Sequence, residues 1–322
     1  MSASPRRIIL DTDPGIDDAL AILLALASPE IELAGLSVVH GNCTLAEAVA
    51  NGLAVLELGR GQQIPLFAGC DRPLLRPLTT AHDTHGQRGL GYARLPEAQA
   101  QPANEHAVDF IIRTVMAAPG EVTLVAVGPL TNVALALRKE PRLAGALREI
   151  VMMGGALRAD GNVTPRAEFN VYADPHAAQI VFSAGVPLVI MPWDITRLVR
   201  LHESEVNRLA QPGKPIGRFI ADATRFYIEF HRRYFGYDGC AINDPAALAL
   251  VFLPDLATYA DVYVTVETCS PLTMGFTVAD FMLQDGRQPN ARAVVAFDTP
   301  RFLSLFVERM QALEQRLYGM AS

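Results

Sequence analysis

At 322 residues the chain is long enough for one large α/β domain or two ordinary ones, with a sizeable core either way. Half of it is hydrophobic, 19% is charged, and the formal charge of −7 argues against electrostatically driven binding to nucleic acid or an anionic membrane surface. The longest clean apolar run, Ala19 to Ala27, is too short to span a bilayer, and no signal peptide is visible, so a cytoplasmic location is the default expectation. Cys43, Cys70, Cys240 and Cys269 are scattered without a close pair and read as reduced, mostly buried thiols.

The first predicted strand, Arg7 to Asp11, runs into Asp11-Thr12-Asp13-Pro14-Gly15-Ile16-Asp17-Asp18, four carboxylates in eight residues. Like charges this close raise one another's pKa unless a cation, hydrogen-bond donors or open water offset them. Oxygen-only ligands without Cys or His suit Ca²⁺ or Mg²⁺ rather than Zn²⁺. The alternative is a strand end, a Pro-Gly turn and a helix whose first turn carries acids to complement its dipole. That alternative explains Asp17 and Asp18 but leaves Asp11 and Asp13 without a reason.

A helix from Asp17 to Ser28, a strand from Ile31 to His40, a helix from Thr44 to Leu58 and a strand from Pro65 to Ala68 follow. This alternation predicts a parallel sheet with functional loops at the strands' C-terminal ends, which places Asn42 beside the acidic stretch. Residues 69 to 101 lose periodicity and carry Ala81-His82-Asp83-Thr84-His85-Gly86, a candidate lid or pocket wall. Next come a helix (Glu105 to Met116), a strand (Glu121 to Val127) and Gly128-Pro129-Leu130-Thr131-Asn132, where Thr131 or Asn132 is expected to cap a helix. A strand from Ile150 to Met153 ends in Gly154-Gly155, and Asn162, Glu168 and Asn170 form a polar set able to donate to and accept from a polyol.

After Asp174-Pro175 a helix and a strand (Val186 to Met191) lead to Trp193-Asp194, with packing the expected role of Trp193. Residues 202 to 235 are expected to be helical, with aromatic residues from Phe226-Tyr227 through Tyr237 for packing or for stacking on a planar ligand. Asn243-Asp244-Pro245 opens a further helix with Asp244 as its expected N-cap. Strands at 261 to 267, 273 to 278 and 293 to 297 and a helix from Pro300 to Arg316 complete the chain. No linker divides it, so residues 1–322 are read as a single domain.

Taken together, the sequence resembles the inosine-uridine-preferring nucleoside hydrolase family. The likeness rests on the opening Asp-x-Asp-Pro-Gly-x-Asp-Asp, Gly-Asn after the second strand, Gly-x-Leu-Thr-Asn at 128 to 132, Met-Gly-Gly at 153 to 155, Ala-Glu-Phe-Asn at 167 to 170, Asp-Pro at 244 to 245 and Thr-Val-Ala-Asp-Phe at 277 to 281. It implies a single Rossmann-like α/β domain with a mainly parallel central sheet flanked by helices. It implies hydrolysis of the N-glycosidic bond of a ribonucleoside by a homodimer or homotetramer. Asp13, Asp18 and Asp244 match carboxylates that bind Ca²⁺, and Val127 matches a position lending a backbone carbonyl. Asp17, Asn42, Asn162, Glu168 and Asn170 match ribose contacts, Asp13 the general base, and Asp11 a support for the loop.

The chain departs from the family pattern at the leaving-group end. Asn243 stands where many members place the His that acts as general acid, and the family's His-x-His-Gly reads Asp83-Thr84-His85-Gly86. Three accounts stand side by side: His231 helped by Tyr227 as donor, departure of a purine protonated at its own nitrogen with aromatic stacking, or a different ribosyl compound as substrate. His85 is expected in the pocket wall. A ribosyl-ligand binding protein without turnover is a rival of another class. A haloacid-dehalogenase-like phosphatase is disfavoured, because Pro14-Gly15 displaces the hydroxyl residue its motif requires.

Overall fold

The computed structural model describes residues 4–319. Strand β1 (Arg6–Thr12) enters α1 (Ile16–Ala27), β2 (Ile31–Val38) enters α2 (Leu45–Leu58), and β3 (Leu66–Ala68) follows. A long connection containing α3 (His82–His85) leads to α4 (Ala107–Ala117), β4 (Val122–Ala126), α5 (Thr131–Lys139), α6 (Leu143–Ala146) and β5 (Glu149–Met153). Then come α7 (Phe169–Ala173), α8 (Pro175–Phe182), β6 (Leu188–Met191), α9 (Trp193–Thr196), β7 (Arg200–Leu201), α10 (Glu203–Leu209), α11 (Pro215–Phe235), β8 (Cys240–Ala241) and α12 (Asn243–Ala249). β9 (Ala257–Val266), β10 (Thr277–Asp280), β11 (Ala291–Phe297) and α13 (Thr299–Tyr318) close the order.

Nine strands form one sheet in the order β10-β9-β11-β6-β5-β4-β1-β2-β3. The six from β3 to β6 are parallel, β11 joins β6 in parallel, and β9 and β10 add an antiparallel edge. Alternation on β1 explains the two layers: Ile8 and Leu10 pack with α1, α2, α11, α12 and α13, while Ile9 packs with α4, α5 and α8 on the other face. The strand order reverses at β1, whose neighbours are β2 and β4, and connections leaving β1 and β4 part there. A crevice at the C-terminal ends of these strands is the consequence, with Val127 in its lining and Asp13 behind it.

The structure corrects several expected details. Residues 202 to 235 form two helices, interrupted at Gln211-Pro212-Gly213, where Gly213 has φ +74°. Thr131 and Asn132 lie in the first turn of α5 without capping it. The Thr131 hydroxyl instead donates to Asp174 (2.8 Å), and the Asn132 amide ties Asp11 (3.0 Å) to the Val38 carbonyl (3.2 Å). Helix α12 starts two residues earlier than expected, after Ile242, so Asp244 is a first-turn residue rather than the N-cap. The strand expected at 273 to 278 begins only at Thr277, since the chain turns at Gly275 with φ +79°. All four cysteines are free, but Cys269 is exposed and Cys70 only half-buried. Among the described residues no helix is long and apolar enough to cross a membrane.

Candidate active site

The tight passage from β1 into α1 organises the carboxylates. Asp18 accepts from the backbone N–H of Asp13 (3.1 Å) and Gly15 (3.0 Å), from the Thr12 hydroxyl (2.5 Å) and from Asn42 Nδ2 (2.8 Å). Four donors fix it in one place. Asp13 sits against Gly41 and Gly128: a Cβ on Gly128 would stand 2.6 Å from its Oδ1, and one on Gly41 would overlap Oδ2. Oδ2 accepts from Asn42 N–H (2.7 Å), while Oδ1 is buried and, among the described residues, without a partner. Gly128→Ala is therefore expected to displace the Asp13 carboxylate and lower turnover about ten-fold or more, while the expressed protein keeps its far-ultraviolet circular dichroism. Steady-state kinetics on the purified variant checks this.

Oxygens of Asp17, Asp18 and Asp244 come within 4.8 Å of one another, and all three residues are buried. Burial raises each carboxyl pKa, and the charge of Asp17 adds to it at Asp18 and Asp244. Asp17 is lifted to about 6, held back by the hydrogen bond from Asn243 Nδ2 (2.7 Å). Asp244 is raised well above the usual range by burial and then by the charges of Asp17, Asp18, Asp13 and Glu168. Asp13 is raised well above it by burial and by Asp18. An oxygen-only cluster with an unpartnered buried Asp13 Oδ1 fits a hard divalent cation. Asp11 stands apart: Ser37 and Asn132 donate to its Oδ2, and burial lifts it to about 7.

Above the acids opens a cavity of about 490 Å³. Asp17, Asn42, His85, Val127, Asn162, Glu168, Asn170, Tyr227, His231, Asn243 and Asp244 all line it, whereas Asp13 and Asp18 lie behind that lining. One end is polar. Glu168 caps α7, accepting from Asn170 N–H (2.9 Å) and from Gly155 N–H (2.8 Å). Asn170 Nδ2 donates to the Val127 carbonyl (2.7 Å), and Asn162 Oδ1 accepts from Phe169 N–H (2.9 Å). The other end is aromatic, with Tyr227, Phe230, Tyr234 and Phe235 from α11 and Trp193, whose ring centroid lies 5.9 Å from that of Phe235. Trp193 thus packs as expected and also faces the cavity.

The loop at 79 to 85 forms the rim, as expected of a pocket wall. His85 accepts from Ile16 N–H through Nδ1 (3.1 Å), and burial lowers its pKa to about 4. His82 turns away to Glu47 (3.1 Å) and takes no part in the lining. His231 bonds the Tyr227 carbonyl through Nδ1 (2.8 Å), and burial lowers its pKa to about 4. Asn243 Nδ2 reaches both Asp17 and the Tyr227 hydroxyl (3.3 Å).

Sequence reasoning missed two supports. Asp194 accepts from the backbone N–H groups of Leu157, Arg158 and Ala159 (2.7 to 3.0 Å), holding the segment that leads to Asn162. Asn51 on α2 donates to the carbonyls of Pro14 (2.9 Å) and Arg88 (2.7 Å), joining the acidic loop to the His85 loop. The position of Asp194 just after a strand was a usable signal; Asn51, in mid-helix, gave none.

A doubly wound sheet with buried carboxylates at its switch point and a half-polar, half-aromatic cavity defines an α/β enzyme for a small polyol-bearing substrate. The chain belongs to the family described as inosine-uridine preferring nucleoside hydrolase, which matches residues 8–304. It is 40% identical over 305 residues to the pyrimidine-specific ribonucleoside hydrolase RihA of Salmonella arizonae, covering 94% of this chain and 98% of that one. Among solved structures, the plant nucleoside hydrolase PpNRh1 superposes with TM-score 0.90 at 35% identity, covering 95% of this chain and 99% of that one. The purine-preferring ribonucleoside hydrolase from Gardnerella vaginalis gives TM-score 0.92 at 33% identity, covering 97% and 100%. The chain is accordingly a nucleoside hydrolase, an enzyme that cleaves N-glycosyl bonds.

Proposed function

We propose that this chain hydrolyses the N-glycosidic bond of ribonucleosides to free base and ribose, with Ca²⁺ held by Asp13, Asp18, Asp244 and the Val127 carbonyl. The observation that carries the reading is the buried, unpartnered Asp13 Oδ1 beside a carboxylate cluster that opens on a cavity able to bind a polyol. The bound cation would supply Lewis acidity that lowers the pKa of a water. Asp13 takes the proton of the attacking water at Oδ1. The surrounding carboxylates stabilise the positive charge that develops on the ribosyl group as the base departs.

The ribose is held by Asp17, Asn42, Asn162, Glu168 and Asn170. Asn170 Nδ2 spends its hydrogens on the Val127 and Met153 carbonyls, so that amide presents Oδ1 as an acceptor for a ribose hydroxyl, while Asn42 Nδ2, with one hydrogen on Asp18, keeps one N–H beside its Oδ1. Asn162 presents Nδ2, since its Oδ1 is engaged by Phe169. These bonds supply binding energy that favours a distorted sugar.

At the leaving-group end, His231, His85 and Tyr227 face the base, and Asn243 occupies the place of an acid without being one. Asn243→His is expected to shift the ratio of kcat/KM between purine and pyrimidine nucleosides by about ten-fold or more, as a general acid is gained; an unchanged profile removes Asn243 from the account. A reducing-sugar assay over a panel of ribonucleosides tests the activity. Ligand binding without ribose release from any of them would favour the rival binding protein, which Asn243 alone supports. A single domain, a homodimer or homotetramer and a cytoplasmic location complete the proposal, and light scattering on the purified protein tests the assembly.

A further inference from the structure

Two histidines flank Tyr227 in the cavity wall, with ring centroids 5.3 Å (His85) and 4.4 Å (His231) from the tyrosine ring. The chain fixes the proton on each. The Ile16 backbone N–H donates to His85 Nδ1, so that nitrogen carries the lone pair and the hydrogen sits on Nε2. His231 is the reverse. Its Nδ1 faces the Tyr227 carbonyl, which has no hydrogen to give, so Nδ1 carries the hydrogen and Nε2 the lone pair. Among the described residues neither Nε2 has a hydrogen-bond partner, neither is an unpartnered atom shut off from solvent, and both rings line the cavity.

We infer that His85 and His231 form a donor–acceptor pair that reads the leaving base, with His231 Nε2 accepting a hydrogen bond from an N–H of the base. Burial, which lowers both pKa values to about 4, keeps the rings neutral and the pair unlike. His231 in this tautomer is an acceptor, which separates it from the proton-donor role that the missing acid at Asn243 invites. Asn243 Nδ2 is engaged by Asp17 and Tyr227, so of these three side chains His85 supplies the hydrogen-bond donor to the base. The relatives' names divide between pyrimidine-specific and purine-preferring. The pair selects on a different criterion: a base that turns an N–H toward His231, as the amide edge of hypoxanthine or uracil does. A base with a pyridine-type nitrogen there sets two lone pairs against each other in a buried site, and both stay unsatisfied.

The kinetic consequence rests on the hydrolase reading, and the tautomers do not. Inosine against purine riboside, and uridine against 2-pyrimidinone riboside, each exchange an –NH–C(=O)– edge for –N=CH–. Comparing ratios between enzymes cancels the intrinsic reactivity of each nucleoside. In His231→Gln the amide can turn either its oxygen or its NH₂ to the base. The preference in kcat/KM for the N–H base is expected to fall about ten-fold from wild type, the factor that corresponds to one mismatched buried hydrogen bond. A ratio within about two-fold of wild type for both pairs overturns the inference.

A long-range ¹H–¹⁵N spectrum of the full chain labelled at histidine gives a second readout. It is expected to show His231 Nε2 and His85 Nδ1 as the pyridine-type nitrogens, and the opposite assignment for His231 overturns the inference whatever the enzyme cleaves. If wild type cleaves none of the four nucleosides, the hydrolase reading fails and the spectrum alone decides.

Discussion

Asp13→Ala is expected to lower ribose release by about 10³-fold or more, the scale of a lost general base with a cation ligand lost beside it. The effect should fall mainly on kcat. The ribose contacts at Asn162 and Asn170 are held by bonds to Phe169 and Val127 that do not involve Asp13, so KM should move far less. Misfolding is a weak competing explanation, because Asp18 still ties the loop to Thr12, Gly15 and Asn42 when the one bond that Asp13 accepts, from the Asn42 N–H, is lost. Removing a buried, charge-repelled carboxylate relieves repulsion, and the variant's thermal midpoint without added cation should be at least that of wild type. Steady-state kinetics and a melting curve measure both. Turnover within ten-fold of wild type would remove Asp13 from the mechanism.

A second large effect is expected in stability. The margin by which Ca²⁺ stabilises the protein over its chelated form should grow as pH rises from 4 toward neutrality; the buried His40, His85 and His231, whose lowered pKa values make stability rise with pH in both conditions, cancel from that margin. The sign follows from linkage. A carboxyl whose pKa is higher folded than unfolded binds its proton more tightly in the native state. Its contribution is therefore fully present below the unfolded pKa and is lost as pH rises through the folded one. For Asp17, moving from 3.8 to about 6 corresponds to about 3 kcal/mol lost across that window, and Asp13 and Asp244 extend the loss to higher pH. A cation that binds the ionised cluster offsets the loss by mass action. Melting curves between pH 4 and 8, chelated and with Ca²⁺, measure that margin, and one that stays constant or shrinks as pH rises contradicts the account.

Much of this was legible in the sequence because local chemistry forced it. Four acids in eight residues between a strand and a helix had to be offset, and the strand-helix alternation placed them at the open end of a parallel sheet. Asp244 was legible as a helix-start residue, yet the cap lies two residues earlier, at Ile242, and only the fold carries Asp244 226 residues back to Asp18. Thr131-Asn132 looked like a cap because caps use those residue types. Tertiary bonds to Asp174 and Asp11 claimed them instead, a competition that no local pattern records. The break at Pro212-Gly213 was visible in the sequence and was overridden by the long amphipathic run around it. The histidine tautomers were beyond sequence reading, since the bond that sets His85 comes from a backbone N–H 69 residues away.

The central claim, that the acid cluster is a cation site required for cleaving the N-glycosidic bond, is tested most directly by following ribose release from inosine and uridine. The purified protein is assayed untreated, after thorough chelation, and after Ca²⁺ is added back. The account predicts activity, near-complete loss, and recovery. Ribose release that survives thorough chelation undiminished would contradict it.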